Sequence, residues 1–501
     1  MNDEYSVGAF SVTSLFEALS NCYCQSEQVA RQARAIYLSN YLSALEAKSI
    51  VVENRYIDGD YLEDFSSYYV RCFQDYNRRC KRLHFFYIDF DEKKLRKYII
   101  EGTVEELKAL NDHYLGFVVV RPLPDAIIGR TILKTYPSDS DRRNYTVTKS
   151  YSANLFGISL TVISLAFQEQ DTVLAACATV ALWSAFQMTS HLFGGLAPRP
   201  AEITRIANGV VAQARPIPSH GLEIRQVIHA IRSLGLEPEI IRASPDVPLI
   251  SIAYSYLKMK LPVLLVISIE GKADWHAITI AGYSIRKERK NQQEVASGEK
   301  SIPMVGLRID EFYAHDDQVG PFSRLKVKPG NASAPVLFEG SWKDSQTQKI
   351  LTLTPEFIII PVYNKIRVSS IHVSKWLERF SQLLSFLLTD ANELEWDLYL
   401  VEINKLKATI KKDSIPLDDL ERFLISQQPR FIWRAICRFK SNPLVEFFAD
   451  ATDMERSFPI YEQVWHDSGF RNIVKEVLQK TQIKNLFIEM LEKRFYDFLI
   501  R

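Results

Sequence analysis

The sequence predicts an α+β protein of three regions, and two observations support this prediction. First, its 501 residues exceed what one ordinary hydrophobic core accommodates, so two or three domains are expected. Second, apolar residues recur at helical spacing in some segments and form short strand-like runs in others. These patterns predict a mixed α/β region over residues 1–142, a core over residues 143–365 and a helical domain over residues 366–501.

The composition argues against several classes of protein. Lys and Arg number 61 against 60 Asp and Glu, and the net charge of +1 argues against a nucleic-acid partner. Six cysteines are too sparse for a disulfide scaffold in a chain of this length, and their spacing does not fit a zinc site. The first residues lack the basic and apolar segments of a secretory signal. We therefore expect a cytoplasmic protein with reduced thiols, and no cofactor or metal is predicted.

Two apolar stretches need to be tested as membrane spans. Residues 155–167 fall short of the roughly 18–20 apolar residues that a spanning helix needs. Residues 174–193 are longer but contain Gln187 and His191, and the polar run 168–171 separates the two stretches. A buried strand followed by a buried helix accounts for both, so no membrane span is expected.

The first region is predicted to combine helices with two buried strands. Helical spacing recurs in two segments, residues 26–48 and 61–81. The apolar run 83–89 is typical of a strand, and the run 114–123 predicts another strand that ends at a proline. Between them, Thr103 and Glu106 have the spacing of a capping box, which predicts a helix start.

The second region is predicted to contain strands, then helices, then further strands. A helix is expected to begin at Cys177 and to run to about Phe193. Further helices are predicted at residues 200–213, 221–235 and 249–259. The runs 261–269 and 275–283 flank a short turn and predict an antiparallel hairpin. The charged run 286–301 predicts a mobile surface insertion. Strands at residues 304–309, 324–327 and 356–362 are expected to complete the sheet.

The third region is predicted to be helical. Five apolar residues share one helix face: Trp376, Phe380, Leu383, Leu384 and Leu387. No motif in this region indicates chemistry of its own. We therefore expect a helical bundle that docks on the rest of the chain.

Cys177 is the candidate nucleophile. It stands at a predicted helix start, where the positive end of the helix dipole stabilises a thiolate. His276, on the second strand of the hairpin, is the candidate base that accepts and returns the proton. Asp316 is the first choice for the acid that orients the imidazole. Asp317 stays open as the alternative, because adjacent side chains on a strand point to opposite faces.

A glutamine shortly before the cysteine is the candidate oxyanion donor. Gln170 can offer its side-chain amide to the developing oxyanion, beside the backbone N–H of Cys177. Such a donor contributes about 3 kcal/mol in the transition state. Gln168 stays open as the alternative, because the spacing alone does not decide between the two glutamines.

This pattern resembles the papain-like cysteine peptidases, and within them the bacterial bacteriocin-processing type. The resemblance rests on Gln170, Cys177-Ala-Thr-Val-Ala-Leu, Gly221-Leu-Glu, His276-Ala-Ile-Thr-Ile-Ala-Gly-Tyr, and Asp316 followed by Gly320-Pro321. It covers residues 156–362 and implies a papain-like two-lobed core. One lobe would be helical and carry the cysteine, and the other would be an antiparallel β lobe that carries His276 and Asp316. The resemblance also implies peptide-bond cleavage in the groove between the lobes.

The predicted function is hydrolysis of peptide or amide bonds by a Cys-His-Asp triad through a thioester acyl-enzyme. Because other reactions share this acyl-enzyme, transglutaminase-like amide transfer or deamidation is the enzymatic alternative. A catalytically inactive scaffold that binds proteins, within a bacterial stress or defence system, is the non-enzymatic alternative. The expected partner is a protein or peptide substrate, and a regulatory protein partner stays open.

Overall fold

The computed structural model describes residues 4–137, 142–171, 176–210, 221–287, 302–330, 334, 336–344, 347–412, 415, 417–455, 457–480 and 484–501. Its N-terminal sheet has five antiparallel strands, and each strand pairs with the next one along the chain. The strands are β1 (Tyr5–Ala9), β2 (Ser49–Tyr56), β3 (Cys80–Phe86), β4 (Tyr114–Val120) and β5 (Ile128–Leu133).

Six helices connect these strands. They are α1 (Val12–Leu19), α2 (Ser26–Val29), α3 (Ala33–Ala44), α4 (Gly59–Ser67), α5 (Glu92–Glu101) and α6 (Val104–Asp112). At the start of α6, the Thr103 hydroxyl accepts a hydrogen bond from the Glu106 backbone N–H. The Glu106 carboxylate accepts one from the Thr103 backbone N–H in return. The predicted capping box is therefore confirmed.

A short strand, a hairpin and four helices lead from this sheet to the centre of the chain. The short strand is β6 (Arg143–Asn144), and the hairpin consists of β7 (Lys149–Leu155) and β8 (Ile158–Ser164). A further strand, β9 (Leu236–Arg242), follows later in the chain. The helices are α7 (Cys177–Phe193), α8 (Pro200–Ala207), α9 (Ile224–Ser233) and α10 (Leu249–Leu257). A helix thus begins at Cys177, as its sequence predicts.

The centre of the chain closes into a barrel of six antiparallel strands. They are β10 (Val263–Ile269), β11 (Trp275–Ile285), β12 (Ile309–Asp316), β13 (Gly320–Pro329), β14 (Val336–Lys343) and β15 (Ile350–Tyr363). Each strand pairs with the next, and β10 also pairs with β15, which joins the two edges of the sheet. Outside the closed ring, β9 pairs with β15 and β6 pairs with β11.

This barrel shows that the predicted papain-like two-lobed architecture is wrong. Alternate residues of β10 point to opposite faces. Leu264 and Val266 pack in one hydrophobic cluster with Trp183 of α7, whereas Leu265 and Ile267 belong to a second cluster. Both faces of β10 are therefore buried, and α7 lies directly on the barrel strands. The chain has a closed barrel with a helix packed on it and further sheets around it, in place of a helical lobe that faces an open β lobe.

The predicted C-terminal helical domain is also wrong. That region contains a four-stranded antiparallel sheet of β16 (Leu394–Glu402), β17 (Phe431–Phe439), β18 (Asn442–Asp450) and β19 (Ile460–Trp465). Its helices are α11 (Ser370–Leu387), α12 (Ile403–Thr409), α13 (Leu417–Ile425), α14 (Ser468–Gln479), α15 (Lys484–Leu491) and α16 (Lys493–Ile500). The predicted apolar face of α11 is present, with Trp376, Phe380 and Leu384 buried. The helical interpretation overlooked the apolar alternation along β16.

The two apolar stretches that needed testing as membrane spans belong to buried elements. Residues 155–167 include strand β8, whose residues alternate between buried and exposed positions. Residues 174–193 include α7, and most of that helix is buried against the rest of the protein. Within the part of the chain that the structure describes, no helix has both the length and the apolar character that crossing a membrane requires.

Candidate active site

Cys177 is the first residue of α7, and the packing of that helix fixes its position. Ala176 before it has extended backbone, so the helix begins sharply at the cysteine. On the neighbouring strand β11, the Thr279 hydroxyl donates to the Ala181 carbonyl of α7 at 2.8 Å. Ala181 lies about one turn after Cys177. Thr279 lies on the same strand as His276, so this bond holds the start of the helix against the strand that carries the predicted base.

His276 lies between the thiol and the carboxyl groups, and its side chain is almost completely buried. Its Nε2 lies 3.0 Å from Oδ1 of Asp316. The Cys177 side chain lines the same cavity as the imidazole and helps to raise the pKa of His276. Because Nε2 is engaged by the acid, Nδ1 is the ring nitrogen that remains for the thiol. The structure therefore brings the predicted nucleophile, base and acid together.

Charges in this cluster stabilise the protonated imidazole. Burial alone would lower the pKa of His276, because desolvation penalises the cation. The Asp316 carboxylate, the neighbouring Cys177 side chain and the charge of Asp317 outweigh burial, and they hold the pKa of His276 well above its ordinary value. Burial would likewise raise the pKa of Asp316, but His276 and its other hydrogen bonds hold that pKa below its usual range. An imidazolium beside a thiol is the arrangement that stabilises a thiolate.

Asp316 accepts three hydrogen bonds, which favours it over Asp317 as the candidate orienting acid. Besides the His276 contact, its Oδ1 accepts from the backbone N–H of Gln318 at 3.1 Å. Its Oδ2 accepts from the indole Nε1 of Trp342 at 2.8 Å. A carboxylate with three N–H donors holds a fixed orientation, and it fixes the orientation and tautomer of the imidazole in turn.

Asp317 also approaches the imidazole but has a different environment. Its Oδ1 lies 3.4 Å from Nε2 of His276, and neither carboxyl oxygen has a hydrogen-bond partner among the described residues. Burial is the largest effect on this carboxyl and raises the pKa of Asp317 to about 7. Both acids reach one imidazole because β12 ends at Asp316, so the alternation of a strand no longer holds at the next residue.

Gln170 lines the same cavity as Cys177 and His276. Gln168, the alternative donor, is 2% exposed and buried behind this surface. The structure thus favours Gln170 as the side chain available to an oxyanion. Residues 172–175, between Gln170 and the cysteine, lie outside the described residues, as do residues 288–301 of the predicted surface insertion.

The cavity at this site has a volume of about 1150 Å³, slightly above the usual range of about 300–1,000 Å³ for ligand pockets. Its floor is apolar and includes Val227, Leu264, Val266 and Ile359, all of them buried. Charged residues of both signs stand at its mouth: Glu223, Arg225, Lys272 and Asp274. The cavity can therefore hold a segment of peptide, with an apolar side chain against the floor.

Trp342 is a functional residue that the sequence analysis missed. Besides its hydrogen bond to Asp316, its ring packs edge-on against His276, with centroids 5.2 Å apart. Lys272 covers its other side, with Nζ 4.1 Å from the ring centre. Trp342 lies on β14, 26 residues from Asp316 along the chain, and no residue spacing in the sequence links it to this site.

The acid and imidazole groups also satisfy a loose criterion for a metal site. His276, Asp316 and Asp317 each place one donor atom within 4.8 Å of the others. However, both oxygens of Asp316 already accept from N–H donors, and one of these donors is the imidazole itself. This hydrogen bonding is that of an acid–imidazole pair, so we assign the cluster to proton transfer.

No protein-family model matches this chain, and no curated protein matches it in sequence.

Proposed function

We propose that this protein is a cysteine peptidase that cleaves peptide bonds through a triad of Cys177, His276 and Asp316. The observation that supports this most directly is the position of His276, which lines one cavity with Cys177 and pairs with Asp316 through its Nε2. Taken alone, the thiol, the imidazole and the carboxylate are each compatible with a purely structural role in packing or hydrogen bonding. Together, in a cavity large enough for a peptide, they supply a nucleophile, a base and an orienting acid.

The proposed reaction begins when the Cys177 thiolate attacks the carbonyl carbon of the scissile bond. The tetrahedral oxyanion accepts hydrogen bonds from the Cys177 backbone N–H and the Gln170 amide. The imidazolium of His276 gives its Nδ1 proton to the amine, the C–N bond breaks, and a thioester remains. A water molecule then attacks the thioester and gives a proton to His276. The C–S bond breaks, and the acid product leaves with the thiolate restored.

The surroundings of the site favour a protein or peptide as the substrate. An apolar floor and a mouth with charges of both signs suit a polypeptide better than a nucleic acid, which would require a basic surface. We also infer that the protein acts in the cytoplasm, because all six of its cysteines are free thiols, the form that a reducing compartment maintains.

Selective alkylation tests the nucleophile. At about pH 6 ordinary thiols are almost entirely protonated, so iodoacetamide should modify a thiolate first. We expect Cys177 to react at least about tenfold faster than Cys22, which is exposed and serves as the matched control. His276→Ala should remove this difference. If Cys177 reacts no faster than Cys22, as followed by peptide mass spectrometry, the proposed triad is wrong.

Turnover separates the peptidase from the other chemistries. Fluorescein-labelled denatured casein should be cleaved by the wild-type chain but not by Cys177→Ser. Fast alkylation without cleavage of any labelled protein would instead indicate a binding scaffold. Incorporation of an added primary amine into a glutamine-containing peptide would indicate amide transfer, since only the acceptor of the acyl group differs.

A further inference from the structure

The chain segment that leads to Gln170 is hydrogen-bonded to the edge of the N-terminal sheet, through an isolated β-bridge to β5. Phe167 and Thr131 of β5 exchange two backbone hydrogen bonds, at 2.7 and 3.0 Å, and the Glu169 N–H donates to the Ile128 carbonyl at 3.0 Å. These bonds attach the segment to the edge strand of the sheet. The residues directly before the proposed oxyanion donor are therefore held by the N-terminal sheet.

Glu169 anchors this segment through buried polar contacts. Its side chain has no exposed area, Oε2 accepts from the Ile128 backbone N–H at 2.9 Å, and Oε1 forms an ion pair with the Arg34 guanidinium. Its backbone carbonyl accepts from Nη2 of Arg121 at 3.0 Å. A buried carboxylate that loses its charge partner is strongly destabilised, so the position of Glu169 depends on Arg34.

The helix that carries Arg34 also contacts the start of β13, where Gly320 pairs with the triad acid Asp316. Tyr37 lies three residues after Arg34, on the same face of α3. Its hydroxyl donates to the Pro321 carbonyl at 2.9 Å. Its ring lies so close to Gly320 that an added Cβ there would be 2.2 Å from Cδ1 of the tyrosine. The start of β13 thus packs directly against α3.

One face of α3 therefore contacts both elements of the proposed catalytic site. We propose that the N-terminal region completes this site and that Arg34 is a positioning residue, which holds Glu169 and thereby the adjacent Gln170 in place for the oxyanion. The proposal rests on the proposed function. It goes further because it makes residues 1–142 part of the catalytic framework, in place of a separate accessory region.

Two reagents that attack the same thiol distinguish positioning from general stability. p-Nitrophenyl acetate acylates Cys177 through a tetrahedral oxyanion and releases p-nitrophenol as the C–O bond breaks. Iodoacetamide alkylates the thiolate by displacing iodide, with no oxyanion. A misplaced Gln170 should slow the first reaction and spare the second. Both rates are measured on the full-length chain, with Cys177→Ser subtracted as background.

We expect Arg34→Met to lower the acylation rate by at least about tenfold, since displacement of about 1 Å at a catalytic group costs up to about 10²-fold. The alkylation rate should stay within about twofold of wild type, and Arg34→Lys, which keeps the charge, should restore part of the acylation. Arg82→Met is the matched control, because Arg82 forms a buried ion pair with Glu53 in the same sheet, with Nη2 and Oε1 2.6 Å apart. It should change neither rate by more than about twofold.

Two outcomes would overturn the inference. Equal acylation by Arg34→Met and Arg82→Met would show that Arg34 does not position the donor. A proportional fall in acylation and alkylation, together with a lower melting temperature, would show that its role is only structural; the Arg34→Lys variant covers the case in which Arg34→Met does not fold. Failure of the proposed function looks different, since the wild-type Cys177 would then react slowly with both reagents, and the inference would fall with it.

Discussion

Replacing Asp316 with Asn is the sharpest test of how the imidazole is held. The carboxylate accepts from three N–H donors, with His276 and Gln318 on Oδ1 and Trp342 on Oδ2. An asparagine has one acceptor oxygen and one NH₂ group. In one orientation its NH₂ faces the Trp342 indole N–H, and in the other it faces His276. The first orientation replaces one buried hydrogen bond by two opposed donors, and the second replaces two, because both His276 and the Gln318 N–H donate to Oδ1.

The expected size of the effect follows from this loss. A hydrogen bond to a charged group contributes about 1.5–3 kcal/mol, and about 1.4 kcal/mol corresponds to tenfold in rate. Asp316→Asn should therefore slow the alkylation of Cys177 about 10- to 100-fold at pH 7. The carboxylate also raises the pKa of His276, so the imidazolium persists above its ordinary range. Without the carboxylate the imidazolium is less stable and supports the thiolate less, so the rise of the alkylation rate with pH should move to higher pH.

Asp317→Asn provides the matched control. Asp317 is the adjacent residue, it is equally buried, and it lies 3.4 Å from the same ring nitrogen, but it accepts no hydrogen bond from the described residues. Its replacement should have a clearly smaller effect on the alkylation rate and on the pH profile, measured from about pH 5 to about pH 9. If Asp317→Asn is as harmful as Asp316→Asn, Asp316 is not the orienting acid.

Three further predictions follow from buried polar groups. Trp342→Phe keeps an aromatic ring but removes the indole N–H that donates to Asp316, so it should slow Cys177 alkylation by roughly tenfold. Burial lowers the pKa of His315 to about 4, so stability should fall by about 3 kcal/mol as pH drops from about 6.5 to about 4. Urea unfolding of His315→Gln should lack this part of the acid dependence, and an equal dependence in both chains would contradict the assignment. Glu446→Gln breaks a buried bidentate pair with Arg434 and should cost about 3–5 kcal/mol in the same assay; a loss below about 1 kcal/mol would refute it.

The parts of the structure that the sequence predicted correctly are those with local signals. The capping box of Thr103 and Glu106 depends on residues three positions apart, and the structure contains it. The start of α7 at Cys177 and the strand that carries His276 follow from the change in apolar spacing along the chain. In each case the residues that determine the element lie inside it or beside it.

Most of what the sequence left wrong or undecided concerns contacts between residues that are distant along the chain. Barrel closure depends on pairs such as Leu264 with Ile359, and no local pattern encodes which strand a given apolar run will pair with. The choice between Asp316 and Asp317 required the end of β12, since alternation applies only within a strand. The C-terminal sheet was different, because the alternation along β16 was present in the sequence and the strong helical pattern of α11 drew attention away from it.

The candidate site could be predicted although the architecture could not, and chemistry explains the difference. A thiolate, an imidazole and an acid must meet within hydrogen-bonding distance, and many frameworks can bring them together. The residue types and their order along the chain therefore indicate a site without specifying the fold around it. What the sequence could not indicate is the support of that site, in which Trp342 holds the acid and Glu169 holds the segment before Gln170. Such supporting contacts depend on the particular fold, and a coincidence of residue types would not require them. Variants of Trp342 and Glu169 therefore test the proposed chemistry independently of the triad.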